Sequence, residues 1–241
     1  MLREAATIHL DHDPHFSWRG QSVTRIENLS DIVFALALGM LVSSSAAPET
    51  FSDLQRFLFS IIPVTAGFGM LLMIWNSHFV FFRRFGLADG KIVFLNSCLL
   101  FAVLYIAYPL RFAFDGFFGF VLMMMGDSTY VVALQVGYDE SGVIMAYFSA
   151  GYAVFNALLS AMYAHALSKA DALELSELEK ILTRQRMFTF GFTGVLAIAI
   201  GAVAWLTPLN GFAGFFYIMM GIGAWLISNR IKLPKSARQP S

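Results

Sequence analysis

The stretch RIENLSDIVFALALGMLVSSS, residues 25–45, opens with Arg25, Glu27, Asn28, Ser30 and Asp31 and then turns almost wholly apolar. An isolated charge within hydrocarbon costs a few kcal/mol or more, so such residues need partners and usually carry function. Two later segments supply groups of the right chemistry. MIWNSHFVFFRR, residues 73–84, sets Trp75 and His78 three apart on one helical face, ahead of a doubly basic end. KIVFLNSCLL, residues 91–100, carries Asn96 and Ser97. Carboxylate, imidazole, indole, amide and hydroxyl can satisfy one another inside a protein. A purely structural lock between helices is one reading of this set. A proton relay through Asp31 and His78 is another.

Other reactive groups are sparse. His9, Asp11, His12, Asp13 and His15 are of types that hold zinc or nickel, but they sit in a charged N-terminal stretch without a scaffold, and a disordered tail is expected. His165, in SAMYAHALSK, reads as an interfacial or satisfied histidine. The single Cys98 cannot form an intrachain disulfide. No phosphate-cradling glycine loop, zinc-protease pattern or nucleophile elbow is present. The sequence describes no enzyme, no bound cofactor and no metal centre.

The elements that must position these residues are set by composition. Hydrophobic residues make up 58% and charged residues 13% of the 241, against roughly 45–50% and about 25% in soluble domains. The mean hydropathy of +0.67 likewise describes an all-α integral membrane protein, and the zero net charge gives nucleic acid no basic field. Residues 1–22 lack the apolar core of a cleavable signal peptide. Crossing a bilayer takes about 20 mostly apolar residues. Six segments qualify, near 25–45, 56–82, 91–124, 141–168, 187–207 and 209–229. The third is too long for one crossing. Pro109, Arg111 and Asp115 predict that it ends near residue 110, with FFGFVLMMMG (117–126) as a helix extension or an interfacial piece.

Lysine and arginine set the orientation. With six spans and a cytoplasmic N-terminus, fourteen of the sixteen cations face the cytoplasm, all but Arg56 and Arg111. Both termini are therefore expected inside. A seventh span would send eight of those cations outward. Residues 1–23 are expected to be a cytoplasmic tail, 24–230 the membrane domain and 231–241 a disordered tail. The segment SKADALELSELEKILTRQR, residues 168–186, predicts a short amphipathic cytoplasmic helix. Trp18 and Tyr163 fit an interfacial aromatic belt. Frequent glycine in GFTGVLAIAIG and GFFYIMMGIG predicts tight packing of the last two spans.

Within the first span, Thr24 followed by Glu27 fits a capping box. Asp31 then lies about 10 Å along the helix. Arg25, Ser30, Asp31, Trp75, His78 and Asn96 reach a common depth near the cytoplasmic surface, and Asp31 is expected to couple to His78. Further along, Ala35 and Gly39 allow close helix approach. Leu36, Met40 and Ser43 make a separate stripe, a pattern that ordinary packing also produces.

These residues resemble the transmembrane protein 175 family of potassium channels. The family signature, Arg-x-x-x-Phe-Ser-Asp before a small-residue-rich run, stands here as Arg25 to Asp31 with Leu29 in place of Phe. Trp75-x-x-His78 is similar to the family's second-helix segment, and Leu95-Asn96 with Pro109-Leu110 to its third. Ile32 follows Asp31 where the family has a small residue, and Gly39 stands where a hydroxyl is common.

The resemblance implies six helices with no pore-loop filter, and a homotetramer, because the signature occurs once. It implies that the first helices line a pore for permeant monovalent cations, potassium preferred, in a bacterial-type inner membrane. Leu36, five residues after Asp31, would form the constriction, with Met40 and Ser43 further out. Arg25, Ser30, Asp31 and His78 would then hold the pore helix and not the ion. The alternatives are a proton-conducting or weakly selective channel on the same fold, a secondary transporter, and a non-conducting membrane protein. A transporter is disfavoured by the lack of a midplane site between broken helices.

Overall fold

The computed structural model describes residues 16–20, 22–43 and 48–230, and all of its elements are helical. Helix α1 spans Arg25–Ser43, α2 Phe51–Phe59, α3 Ile61–Phe85 and α4 Gly90–Met124. There follow α5 (Thr129–Ala133), α6 (Tyr138–Ser168), α7 (Glu177–Leu206), a 3₁₀ helix (Asn210–Ile218) and α8 (Met219–Arg230). Six of these segments are long and apolar enough to cross a membrane, the last combining the 3₁₀ helix with α8. The chain is a multi-pass membrane protein. The expected His-rich stretch 9–15, Ser44, Ser45 and the tail 231–241 lie outside the described residues.

Helix α6 sits at the centre, packed on α7, α4, α3 and the 3₁₀ helix. Helix α1 is peripheral: among the described elements it packs on α3 and α4 alone. One apolar core runs through the bundle, with Phe34, Leu71, Phe81, Leu99, Ile106, Leu159 and Tyr163 buried.

Several boundaries differ from the sequence expectation. The second span does not begin at residue 56. Helix α2 starts at Phe51, where Thr50 and Asp53 exchange capping bonds (3.1 and 3.2 Å), and α3 restarts after Ser60. Pro63 explains the restart, since a residue without an N–H is tolerated in the first turn and not mid-helix. The helix of the third span does not stop at Pro109, and of the two readings for the apolar run after it the structure shows the helix extension. Helix α4 continues for 35 residues, about 50 Å, well beyond the roughly 30 Å hydrocarbon core. Phe117–Met124 is thus a helix extension.

The amphipathic segment is not a separate helix either. Residues 177–186 are the start of α7, because Ser176 and Glu179 form a complete capping box and no proline interrupts the run. Tyr163 is no belt residue: it is buried against Phe81, Phe85 and Phe190.

The sixth span is not one α-helix. Its first nine residues are 3₁₀, with three residues per turn and about 2.0 Å rise. Gly211, Gly214 and Tyr217 therefore form one row, each about 6 Å from the next. On α6 the matching row is Ser141, Met145 and Ser149, also about 6 Å apart at 1.5 Å per residue. The rows meet in register. Gly211 N–H donates to Ser141 Oγ (3.2 Å), Gly214 lies under Met145, and Tyr217 Oη pairs with Ser149 Oγ (2.7 Å). Commensurate spacing is a physical reason for the unusual 3₁₀ length.

Candidate functional site: the two faces of the first helix

The first turn of α1 is capped as its sequence predicts. Thr24 N–H donates to Glu27 Oε1 (2.9 Å), and Glu27 N–H to Thr24 Oγ1 (3.4 Å). The other oxygen of Glu27 accepts a short hydrogen bond from Arg83 Nη2, and both side chains are buried. Arg83 also donates to Gly20 O (2.7 Å). Its own carbonyl, one of those left unpaired at the end of α3, accepts from the N–H groups of Arg19 (3.1 Å) and Gly20 (3.0 Å).

Residues 16–20 are therefore a docked strap and not part of a free tail. Phe16 is buried under the Arg84 guanidinium at 4.6 Å and edge-on to Phe85. Arg19 holds Glu179 at the start of α7 through two 2.9 Å bonds, and donates to Leu173 O (2.7 Å). A Cβ on Gly20 would lie 2.3 Å from Phe82 O, so only glycine permits this approach. Trp18 packs on Phe79.

One turn beyond Glu27, a hydrogen-bond chain crosses three helices. His78 Nε2 donates to Asn96 Oδ1 (2.8 Å), Asn96 Nδ2 to Ser30 Oγ (3.0 Å), and Ser30 Oγ to Ile26 O (2.7 Å). Ser30, His78 and Asn96 are at most 2% exposed. Asp31 and Trp75 form a separate pair, with Trp75 Nε1 donating to Asp31 Oδ1 (2.8 Å) on the exposed side. Ser30, Asp31, Trp75, His78 and Asn96 are thus brought together as two units, and no bond joins Asp31 to His78. Arg25 does not join the network: it is exposed, and among the described residues no ion pair reaches it.

At the opposite end, Arg111 Nε pairs with buried Asp115 (2.6 Å), and Arg111 Nη1 donates to Leu41 O (3.3 Å) in the last turn of α1. Tyr130 of α5 donates to Asp115 Oδ1 (2.9 Å). Burial, and then the Asp115 charge, raise the Tyr130 phenol above its usual range and keep it a donor. Arg111 of α4 thereby grips the end of α1, while Tyr130 of α5 folds back onto its partner Asp115.

Apart from the exposed Asp31–Trp75 pair, these contacts lie on one side of α1. Glu27, Ser30, Phe34, Ala37 and Leu41 are its buried residues. The opposite side carries Leu29 (54% exposed), Ile32 (67%) and Leu36 (54%), with Gly39 and Ser43 exposed and Met40 partly so. The helix is pinned along one face and bare along the other.

Sequence reading missed Glu27–Arg83, Arg19–Glu179 and Arg111–Asp115–Tyr130. Only Arg111 and Asp115, four apart on one helix, gave a local signal. The other pairs join residues 56 and 160 positions apart. Among the described residues no cluster of metal-ligating side chains occurs.

A bundle with six membrane-spanning segments and no strand among the described residues defines an all-α multi-pass membrane protein, and comparison with known proteins gives the family. The model of the family "Endosomal/lysosomal potassium channel TMEM175" matches residues 25–106. A potassium channel of Marivirga tractuosa is 32% identical over 94% of this chain and 94% of its own. The chain belongs to the TMEM175 potassium channel family. Its fold is similar to the crystal structure of a variant of the potassium channel MtTMEM175 bound to a nanobody–MBP fusion. The TM-score is 0.71 at 28% identity, covering 90% of this chain and 98% of that one.

Proposed function

We propose that four copies of this chain form a potassium-preferring cation channel, with the bare faces of the four α1 helices turned to a shared axis. The observation that carries this reading is the one-sidedness of α1. Its buried residues are fixed by hydrogen bonds and ion pairs at both ends, while Leu29, Ile32, Leu36 and Met40 point away from the bundle. Family membership and the named activity of the relatives support the same reading. The role is transport and not catalysis.

In this reading Leu36 makes the constriction and Met40 and Ser43 the wider outer passage. A ring of apolar side chains opposes ions by holding water out, and conducts when it widens enough for an ion to keep its water. Helix α1 can serve as such a wall because Arg83 holds its Glu27 side chain at one end and Arg111 its Leu41 carbonyl at the other. The cation-rich end, with both termini, faces the cytoplasm of a cell membrane by the positive-inside rule. Proton relay is the weaker reading, since His78 bonds Asn96 and Asp31 bonds Trp75 in separate units.

Purified protein reconstituted in vesicles tests the proposal through reversal potentials under potassium, sodium and proton gradients. The expected potential follows potassium. A potential that follows protons alone would replace this reading with the relay. Leu36→Ala should raise conductance and weaken potassium preference. Unchanged current would remove Leu36 from the constriction.

A further inference from the structure

An open groove lies between α6, α7 and α8, and no residue of α1 lines it. It encloses about 690 Å³, within the range of small-molecule sites. Met187, Phe188, Gly191 and Phe192 form its α7 wall, and Leu226 and Ile227 its α8 wall. Ser160 lies on its floor, with its hydroxyl already spent on Met187 O (3.0 Å). Gly191 keeps the groove open, because its missing side chain faces little but Ser160 Oγ. The interior thus offers apolar surface and no free hydrogen-bonding group.

The mouth is different. Arg230, in the last turn of α8, lines the groove directly. On α7 the wall positions 187, 188 and 191 continue one turn back to Arg184 at i−3, i−4 and i−7, so Arg184 shares that face. Both arginines are exposed, and among the described residues neither has an ion-pair partner. An apolar slot with two uncompensated guanidiniums at one end matches a molecule with an alkyl body and an anionic head. Basic pockets between transmembrane helices at the cation-rich surface suit phospholipid headgroups, and guanidinium binds phosphate in bidentate fashion.

We propose that this groove is a binding site for an anionic phospholipid, with an acyl chain along Met187, Gly191 and Leu226 and the phosphate held by Arg184 and Arg230. No residue assigned to the ion pathway lines the site. A regulatory lipid here would act on α7, whose first turn Glu179 ties through Arg19 to the strap and Arg83.

Native mass spectrometry of the detergent-purified protein, titrated with phosphatidylglycerol and with phosphatidylcholine, provides the test. Wild type should retain phosphatidylglycerol preferentially, each arginine contributing roughly fivefold. Arg184→Gln with Arg230→Gln should abolish the preference, and Gly191→Trp should reduce retention of both lipids with helicity unchanged. Equal retention of the two lipids by wild type, or a preference that survives in the double variant, would overturn the proposal. So would a change of oligomer size in Gly191→Trp, which would make a second copy of the chain the occupant.

Discussion

The two halves of the bundle hold themselves together by different means. Between α1, α3 and α4 the contacts that fix register are polar: Glu27 with Arg83, and Ser30 with Asn96 and His78. Between α6, α7 and the 3₁₀ helix, single hydroxyl bonds of Ser141, Ser149 and Ser160 accompany close steric approach at glycine, and no buried ion pair is among them. Gly142 lies where a Cβ would stand 2.5 Å from Ala204 O, and Gly201 where it would stand 2.9 Å from Ser149 Cβ. Polar contacts demand particular residue types at particular positions. Steric contacts demand only that a side chain be missing, which many sequences satisfy. The polar half holds the helix with the bare face, and the steric half serves as its support.

The largest effect should follow from breaking the polar half at its buried ion pair. Glu27→Gln leaves Arg83 charged and uncompensated, at a cost of about 3 kcal/mol or more. The detergent-solubilised protein should then melt roughly 6 °C lower or more. A smaller shift would mean that water or lipid headgroups reach Arg83. At its glycines the steric half should respond to bulk. Gly142→Val forces a side chain into the Ala204 carbonyl and should cost about 1–3 kcal/mol, whereas Gly142→Ser, polar but small, should cost less. If Ser were worse than Val, polarity would matter in this half too.

Asn96→Leu leaves Ser30 and His78 buried without their shared partner and should cost about 1–3 kcal/mol in the same melting assay. Trp75→Phe removes only the exposed bond to Asp31 and should cost about 1 kcal/mol or less. No bond links the Asp31–Trp75 pair to His78, so a double-mutant cycle of Asp31→Asn and His78→Ala should show only the small through-space charge interaction between them. An interaction energy well above about 0.5 kcal/mol would restore a single network.

The smallest effect concerns pH. Asp89 caps α4 from outside the membrane-spanning segments. Its hydrogen bond with His165, then that from Ile92 N–H, hold its carboxyl below the usual 3.8. A depressed carboxyl stabilises the fold above its unfolded value and loses that contribution as pH falls through the folded one. The melting difference between wild type and Asp89→Asn should be constant above pH 4 or so and shrink below it. A difference that grows on acidification would contradict the sign.

The same contrast explains what could be read from sequence. Helix number, the Thr24–Glu27 cap and the gathering of Ser30, His78 and Asn96 were legible, because each rests on polar residues at telling positions in an apolar background. The docking of residues 16–20 was not, since Phe16 and Arg19 find their partners only after α3 and α7 have come together. The 3₁₀ row was hidden for another reason. Gly211, Gly214 and Tyr217 also fit an α-helix, and only the facing row on α6 selects the tighter winding. Helix α4 ran past Pro109 because the bundle supports it there, with Leu110 and Arg111 buried. Shared depth placed Asp31 near His78 but did not give the separate partners Trp75 and Asn96, because depth does not give direction around the helix axis.

The central claim is that the bare face of α1 lines the ion pathway. Single cysteines at Leu36 and at Ala37, each in a Cys98→Ser background, would be exposed to a charged thiol reagent during potassium flux from reconstituted vesicles. Block at Leu36→Cys with no effect at Ala37→Cys, on the pinned face, is the predicted result. Flux that continues unchanged after Leu36→Cys is labelled would place that face against lipid and contradict the account.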